Sequence, residues 1–256
     1  MQESTLNIGL QLLWIDRWAW SFLLNGISLF LAYTFPFLTA QGAIHSGILG
    51  MVIWGSLGWR GWIPVVTYLL LGSTVTKLGY RYKRKTGIAE SRGGRRGPEN
   101  VWGSASTAII LALISIYPNV PIDLILIGFS ASFASKLSDT FGSEIGKRWA
   151  TKTILITSLQ RTSPGSEGAI SLEGTLASLI GSTLMTLIMS ACGLISGGVT
   201  LALVASTSFV ATLIESIIGA TLQKRVRCLT NEIVNSIQTL MASLLAICGA
   251  LLIHAR

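Results

Sequence analysis

The chain has 256 residues, of which 50% are hydrophobic and only 12% charged, and its mean hydropathy is +0.62. A soluble domain carries about 25% charged residues, so the composition argues against an ordinary soluble enzyme and predicts a membrane protein. The net charge of +8 would suit nucleic acid if spread over a soluble surface. In a membrane protein it reflects orientation, and no nucleic-acid partner is expected.

At roughly 20 apolar residues per helical crossing, the length holds about seven or eight spans and little else. The predicted fold is an all-α, polytopic helical bundle forming a single integral-membrane domain over 1–256. Residues 4–16 have mixed character and suit a short interfacial helix. The N-terminus has an early acid and no basic stretch before a short apolar core, which predicts a retained first span rather than a cleaved signal. That span runs from Trp18 to about Phe37, with Trp14, Trp18 and Trp20 as interfacial anchors. The second covers Ala43 to Leu57 and is rich in glycine; the third runs from Trp62 to Tyr80. The polar, glycine-rich stretch that follows cannot lie in hydrocarbon. A fourth span runs from Gly103 to Tyr117 and a fifth from Ile122 to Leu137. The sixth covers Leu176 to Leu194, Gly197-Gly198 turns into a seventh that reaches Ile218, and the last spans Ile233 to Ile253. Cys192, Cys228 and Cys248 are far apart, with neither disulfide-framework nor zinc-site spacing.

Of the 19 Lys and Arg residues, eight lie in 77–100, five in 136–173 and three in 219–231. These connections follow the third, fifth and seventh spans, so eight crossings put all three on one side. By the positive-inside rule they are the basic cytoplasmic loops. Orientation does not explain the acids among them: Glu90, Glu99, Asp139, Glu144, Glu167, Glu173, Glu215 and Glu232 share that side or its boundary. Carboxylates suit a divalent cation, which takes oxygen ligands and bridges protein to substrate phosphates. The expected cofactor is Mg²⁺.

The stretch from Lys136 to Thr175 is the richest. Ser132, Ser135 or Lys136, Asp139 and Ser143 recur at helical spacing and share one face. Asp139 is the leading metal ligand, and Lys147 and Arg148 can hold nucleotide phosphates or mark the membrane edge. Glu144, five residues beyond Asp139, points away from it on an ideal helix. Gly142 to Lys147 imitates a P-loop but lacks one residue between the glycines, carries Arg148 in place of Ser or Thr, and follows no strand; it is rejected. Farther on, Gly165, Gly168, Ser171 and Glu173 frame a tight turn and a helix start, either a phosphate cradle or a flexible connector with a cap. In the 77–100 stretch, Arg95 and Arg96 lie between glycines, with Asn100 just before the fourth span, and suit phosphate oxygens. Lys83, Arg84 and Lys85 read as a polybasic patch on anionic lipid. Glu215 lies about a turn inside the seventh span and is costly there unless paired or liganded. Asn231 and Asn235 share one helical face.

Five motifs, in order, resemble an integral-membrane family that contains plant and cyanobacterial phytyl-phosphate kinase. They are Gly94-Arg-Arg-Gly97, Asp139-Thr-Phe-Gly-Ser-Glu-Ile-Gly146, Leu172-Glu-Gly-Thr175, Glu215-Ser-Ile-Ile-Gly-Ala220 with Gln223, and Asn231-Glu-Ile-Val-Asn235. The segment from Asp139 to Thr175 is also similar to CTP-dependent polyprenol kinases, phytol and dolichol kinases among them. The family often has Asp where this chain has Glu215, which keeps the carboxylate. The resemblance implies a kinase that phosphorylates phytyl or a related prenyl monophosphate to the diphosphate, a precursor of tocopherol and phylloquinone, with CTP as donor.

In that reading Asp139 and Lys147 are catalytic, and Asp139, Glu144 and Glu215 are metal ligands. The remaining expected substrate contacts are Arg95, Arg96, Asn100, Lys136, Ser143, Gly165, Gly168, Ser171, Glu173, Asn231 and Asn235. The rival readings are a membrane acyltransferase of phospholipid synthesis and a lipid or anion transporter.

Overall fold

A computed structural model of the chain describes residues 18–27, 30, 37–223, 225–226 and 228–254. The expected interfacial helix at 4–16 with Trp14, positions 28–29 and 31–36 of the first span, and Lys224 and Arg227 lie outside the described residues. Helix α1 covers 18–27.

Helix α2, Ala40–Lys77, starts where Thr39 Oγ1 accepts the Gly42 amide at 3.0 Å. Its 38 residues are interrupted at Gly58, whose φ of 67° and ψ of −158° only glycine adopts readily. The chain folds back there. The Trp54 and Trp62 rings are 5.5 Å apart, and a Cβ added to Gly50 would lie 3.2 Å from Trp62 Nε1. A straight helix would hold positions twelve residues apart at about 18 Å. The turn expected between Leu57 and Trp62 is therefore present, made by a single glycine.

A short helix, α3 (Tyr80–Lys85), leads into the arginine-bearing connection. Helix α4, Pro98–Ile114, begins earlier than the apolar run suggests, because Pro98 suits a first helical position and the Asn100 side chain accepts the Gly97 amide at 3.0 Å. Helix α5, Ile122–Trp149, runs twelve residues beyond the expected end of the fifth span, so Lys136 to Lys147 is helix rather than connection. The P-loop reading fails on this ground too. Strands β1 (Ile154–Leu155) and β2 (Ala169–Ile170) pair antiparallel and bracket the glycine turn. Helix α6 spans Leu172–Ala191 and α7 spans Gly198–Ile218, the latter prolonged by a π-helical turn over Gly219–Gln223. Helix α8, Asn231–His254, completes an all-α architecture with one minimal hairpin.

Among the described residues three stretches are long and apolar enough to cross a membrane: Leu172–Ala191, Gly198–Gln223 and Asn231–Ile253. Their outer faces expose Leu176, Ile180, Leu187, Val210, Leu244 and Leu252. So dense an apolar surface suits lipid rather than water.

Helix α5 is not among those three, and its position explains why. It packs against α2, α4, α6, α7 and α8, so it needs small residues more than apolar ones. Ser130, Ala131, Ser132, Ala134, Ser135 and Ser138 are all buried, and small residues let helices approach closely. A Cβ on Gly181 of α6 would sit 2.8 Å from the Leu137 carbonyl. Polar side chains join α5 to its neighbours: Ser208 Oγ donates to Ala131 O at 3.1 Å, Gln238 Nε2 to Ser135 O at 3.0 Å, and Ser243 Oγ to Gly128 O at 2.7 Å. The apolar core, with Phe129, Phe133 and Leu137 at its centre, surrounds the first two-thirds of this helix. Apart from Asp123 in the first turn, the charges of α5 all lie in its second half, from Lys136 to Arg148.

Candidate functional site

At that end of α5 a polar cavity of about 390 Å³ opens between the starts of α4, α6 and α8, the end of α7, and the connections at 90–97 and 164–171. Residues from all three charged connections line it. Of the expected site residues, Arg95, Arg96, Asn100, Lys136, Asp139, Ser143, Glu144, Lys147, Gly165, Gly168, Ser171, Glu215, Asn231 and Asn235 line this one space. Glu173 and Arg148 are outside it. Glu173 Oε1 accepts from the Thr151 amide at 2.9 Å and the Thr151 hydroxyl at 2.7 Å, which clasps the exit of α5 to the start of α6. The Arg148 guanidinium stacks 4.6 Å over the Tyr82 ring.

The floor is built on α5. Lys136, almost wholly buried, donates to the Asp139 carboxylate one helical turn on and to Asn235 Oδ1 at 2.8 Å. A buried ammonium needs such partners, and they fix it where α5 and α8 meet. The Asp139 side chain keeps 18% exposure, so one face of the carboxylate is open to the cavity. Glu215 of α7 lies close enough to interact electrostatically with Asp139, Lys136 and Glu167. Asp139 and Glu215, on two helices, thus flank one buried lysine, with Glu167 near Glu215.

The opposite wall is basic. Residues 37–39 and Arg96 pair backbone to backbone: the Arg96 amide donates to Phe37 O at 2.9 Å and the Thr39 amide to Arg96 O at 3.1 Å. Arg96 Nη1 donates to Tyr68 Oη at 2.5 Å, its guanidinium lies 5.0 Å above the Tyr68 ring, and Tyr68 donates onward to Ser104 Oγ at 3.2 Å. Room for that guanidinium comes from Gly72, where a Cβ would stand 2.6 Å from Nη2. The neighbouring Arg95 side chain is exposed.

A relay of alternating charge forms the rim. Lys83 Nζ donates to the Glu144 carboxylate and to Thr76 O at 2.8 Å; Lys147 Nζ stands 3.4 Å from Glu144 Oε1 and donates to Glu90 Oε1 at 2.7 Å. Lys83 is fully buried, which corrects its reading as part of a lipid-facing basic patch. Glu144 is occupied by two lysines, so of the three expected metal ligands it has the least free lone-pair capacity. Burial alone would raise the Glu90 carboxyl, but the charge and hydrogen bond of Lys147, with smaller effects from Arg96 and Lys136, hold it below its ordinary value.

The glycine turn forms the remaining wall. Gly165 and Gly168 have φ of 83° and 74°, and a Cβ at Gly168 would approach Ser216 O to 2.6 Å. Glycine at 168 therefore lets the turn lie directly on the end of α7, beside Glu215. Ser171 Oγ accepts the Gly174 amide at 3.0 Å as the cap of α6. The helix cap offered by the sequence is therefore present, and the glycine turn before it lines the cavity.

Tyr68, Lys83, Glu90 and Glu167 were not singled out from the sequence for these positions. Tyr68 sits in an apolar helix with no local signal; Glu167, flanked by glycines on the turn, carried one. Among the described residues no three His, Cys, Asp or Glu side chains converge as a ready-made metal cage. Mg²⁺ is commonly held by one or two carboxylates together with substrate phosphates and water. Asp139 and Glu215, hard oxygen donors lining the cavity that also holds the arginines, fit that mode.

Residues 23–243 match the family described as Integral membrane protein DUF92. The chain is 46% identical over 234 residues to the uncharacterized membrane protein sll0875 of Synechocystis sp., covering 90% of each chain. It is 38% identical over 218 residues to Protein VTE6, chloroplastic, of Arabidopsis thaliana, covering 82% of this chain and 64% of that longer protein. It is 29% identical over 211 residues to the uncharacterized membrane protein MJ0933 of Methanocaldococcus jannaschii, covering 82% of this chain and 84% of that one. No solved structure matches it. Cyanobacterial and plant proteins are thus among its relatives, as the five motifs imply, and the chain belongs to the DUF92 family of integral membrane proteins.

Proposed function

We propose that the protein is a prenyl-phosphate kinase that transfers the terminal phosphoryl group of a nucleoside triphosphate, CTP, to phytyl or a related prenyl monophosphate. One observation carries the reading. A single cavity at the end of the bundle sets two arginines against a cluster of carboxylates around a buried lysine. Phosphoryl transfer asks a protein mainly for positioning and charge stabilisation, and this lining is suited to both.

The acceptor is already an anion, so no strong general base is needed. The bond between the donor's terminal phosphorus and its bridging oxygen breaks, an acceptor phosphate oxygen takes that phosphorus, and the nucleoside diphosphate leaves. Arg95 and Arg96 hold phosphate oxygens on the basic wall, and Lys147 neutralises charge from the rim. Lys136 pairs with Asp139 and fixes its position. Asp139 and Glu215 would hold Mg²⁺, which supplies charge neutralisation across the donor phosphates. Gly165 and Gly168 let backbone approach the nucleotide side.

The proposed topology has seven to eight spans, with the three basic connections and the cavity mouth on the cytoplasmic side. Tocopherol and phylloquinone synthesis would consume the product. The rival acyltransferase reading has less support, since no histidine lines the cavity among the described residues, and His45 accepts from Trp102 Nε1 at 2.9 Å. A carrier would place its ionisable groups near the midplane, whereas these gather at one end.

The test is purified protein in detergent or liposomes with phytyl monophosphate, labelled CTP and Mg²⁺. Formation of the diphosphate that stops on chelation is the expected result. Failure to phosphorylate phytyl or any other prenyl monophosphate, with CTP, ATP or UTP, overturns the proposal.

A further inference from the structure

A second pocket, of about 100 Å³, lies between α1, α2 and α4. It differs sharply from the first. Leu49, Val65, Leu69, Val101, Ala105 and Phe133 are among the residues of its largely apolar wall. Its few polar groups are largely engaged within the protein. Trp62 Nε1 donates to Asn25 Oδ1 at 3.0 Å, and Asn25 Nδ2 donates to Ser21 O at 2.8 Å, which closes off the polar atoms at one end. A buried water needs two to four polar partners, so the pocket favours an apolar occupant.

The two spaces share a partition. Arg96, Asn100 and Ser104 line both. Arg96, held by Tyr68 and backed by Gly72, therefore has the polar cavity on one side and a greasy slot on the other. A ligand that uses both must have an anionic head joined directly to an apolar chain.

We propose that this slot seats the head-proximal isoprene units of the acceptor lipid, with its phosphate on Arg96 in the polar cavity. The inference rests on the kinase reading and extends it to the substrate's other end. A slot of this size is below the roughly 300 Å³ or more that encloses a drug-sized ligand, so the far part of a phytyl chain lies outside it. The protein thus reads the first isoprene units closely and tolerates variation in total tail length. It also requires the acceptor to enter from the α1–α2–α4 side, leaving the glycine turn and α7 to the nucleotide.

The test is photolabelling of the full-length protein in liposomes with phytyl monophosphate carrying a diazirine in its first isoprene unit, mapped by mass spectrometry. Label on 65–69 or 101–105, competed by unlabelled phytyl monophosphate, is expected. Label confined to α6, α7 or the outer apolar faces, or indifferent to competition, overturns the proposal. In parallel, Ala105→Phe fills the slot, and overpacking of this kind raises KM for the lipid phosphate about tenfold while KM for the nucleotide stays within about twofold. An unchanged lipid KM in the folded variant also overturns it. Competed label in the slot without diphosphate formation by the wild type means that the kinase reading fails and the lipid slot stands. Diphosphate formation with label elsewhere means the reverse. Labelling of the wild type decides the matter even if Ala105→Phe does not fold.

Discussion

The ammonium of Lys83 on α3 is paired with the carboxylate of Glu144 on α5, and their side chains are 0% and 3% exposed. The pair pins the arginine-bearing connection to the charged end of the central helix, and so sets the distance between the two walls of the cavity. Removing one partner of a buried pair leaves an uncompensated charge, at a cost of about 3 kcal/mol or more. Lys83→Met should therefore lower the melting temperature in detergent markedly, and adding Glu144→Gln should restore part of the loss. If Lys83→Met melts like the wild type, the pair does not hold the walls.

Asp139→Asn keeps the shape of the side chain and removes its charge. Lys136 retains Asn235, so the protein should remain folded, while diphosphate formation falls by about a hundredfold, on the scale of losing one preorganised electrostatic contact. Activity and metal dependence that both survive would remove Asp139 from the centre of the site.

Tyr68 touches Arg96 rather than the substrate, so it positions. Tyr68→Phe deletes the hydroxyl that accepts from Arg96 and donates to Ser104. Loss of a hydrogen bond to a charged group, about 1.5 kcal/mol, corresponds to about tenfold. The loss should appear mainly in KM for the lipid phosphate, with the pH profile unmoved. Arg96→Lys should do more, since it loses both the planar fork and the stack. A Tyr68→Phe effect confined to the nucleotide KM would place Arg96 on the other substrate.

Glu90 gives a pH prediction. Its carboxyl is held below the ordinary 4.5 despite partial desolvation, chiefly by Lys147. A depressed folded value means that the stabilisation is complete above the unfolded value and is lost as pH falls through the folded one. Wild type should therefore exceed Glu90→Gln in stability at neutral pH and converge with it as pH falls through the depressed folded value. The side chain is 44% exposed, so the advantage should not exceed about 1 kcal/mol. Melting curves of the two proteins between pH 7 and pH 3 check both sign and window.

Much of the site was legible in sequence because its parts lie in connections that interrupt apolar runs. The Gly93 to Gly97 cluster, Asp139 with Ser143, the Gly165 to Ser171 turn, and Asn231 with Asn235 each carry a local signal of composition or spacing, and all of these groups reach the cavity. Glu173 carries the same kind of signal and yet serves as a clasp to Thr151, because a carboxylate at a helix start looks alike whether it faces ligand or backbone.

The sequence by itself determined that the chain is helical and apolar outside, and which polar, charged stretches interrupt its apolar runs, since these follow from local period and composition. The tertiary structure alone decided that α5 continues to Trp149 as a buried, polar helix. The reason is that its small side chains are covered by α2, α4, α6, α7 and α8. It alone decided the fate of Lys83, whose partner lies 61 residues away, a pairing no local pattern encodes. It alone produced the apolar slot behind Arg96, because the slot exists only where α1, α2 and α4 meet.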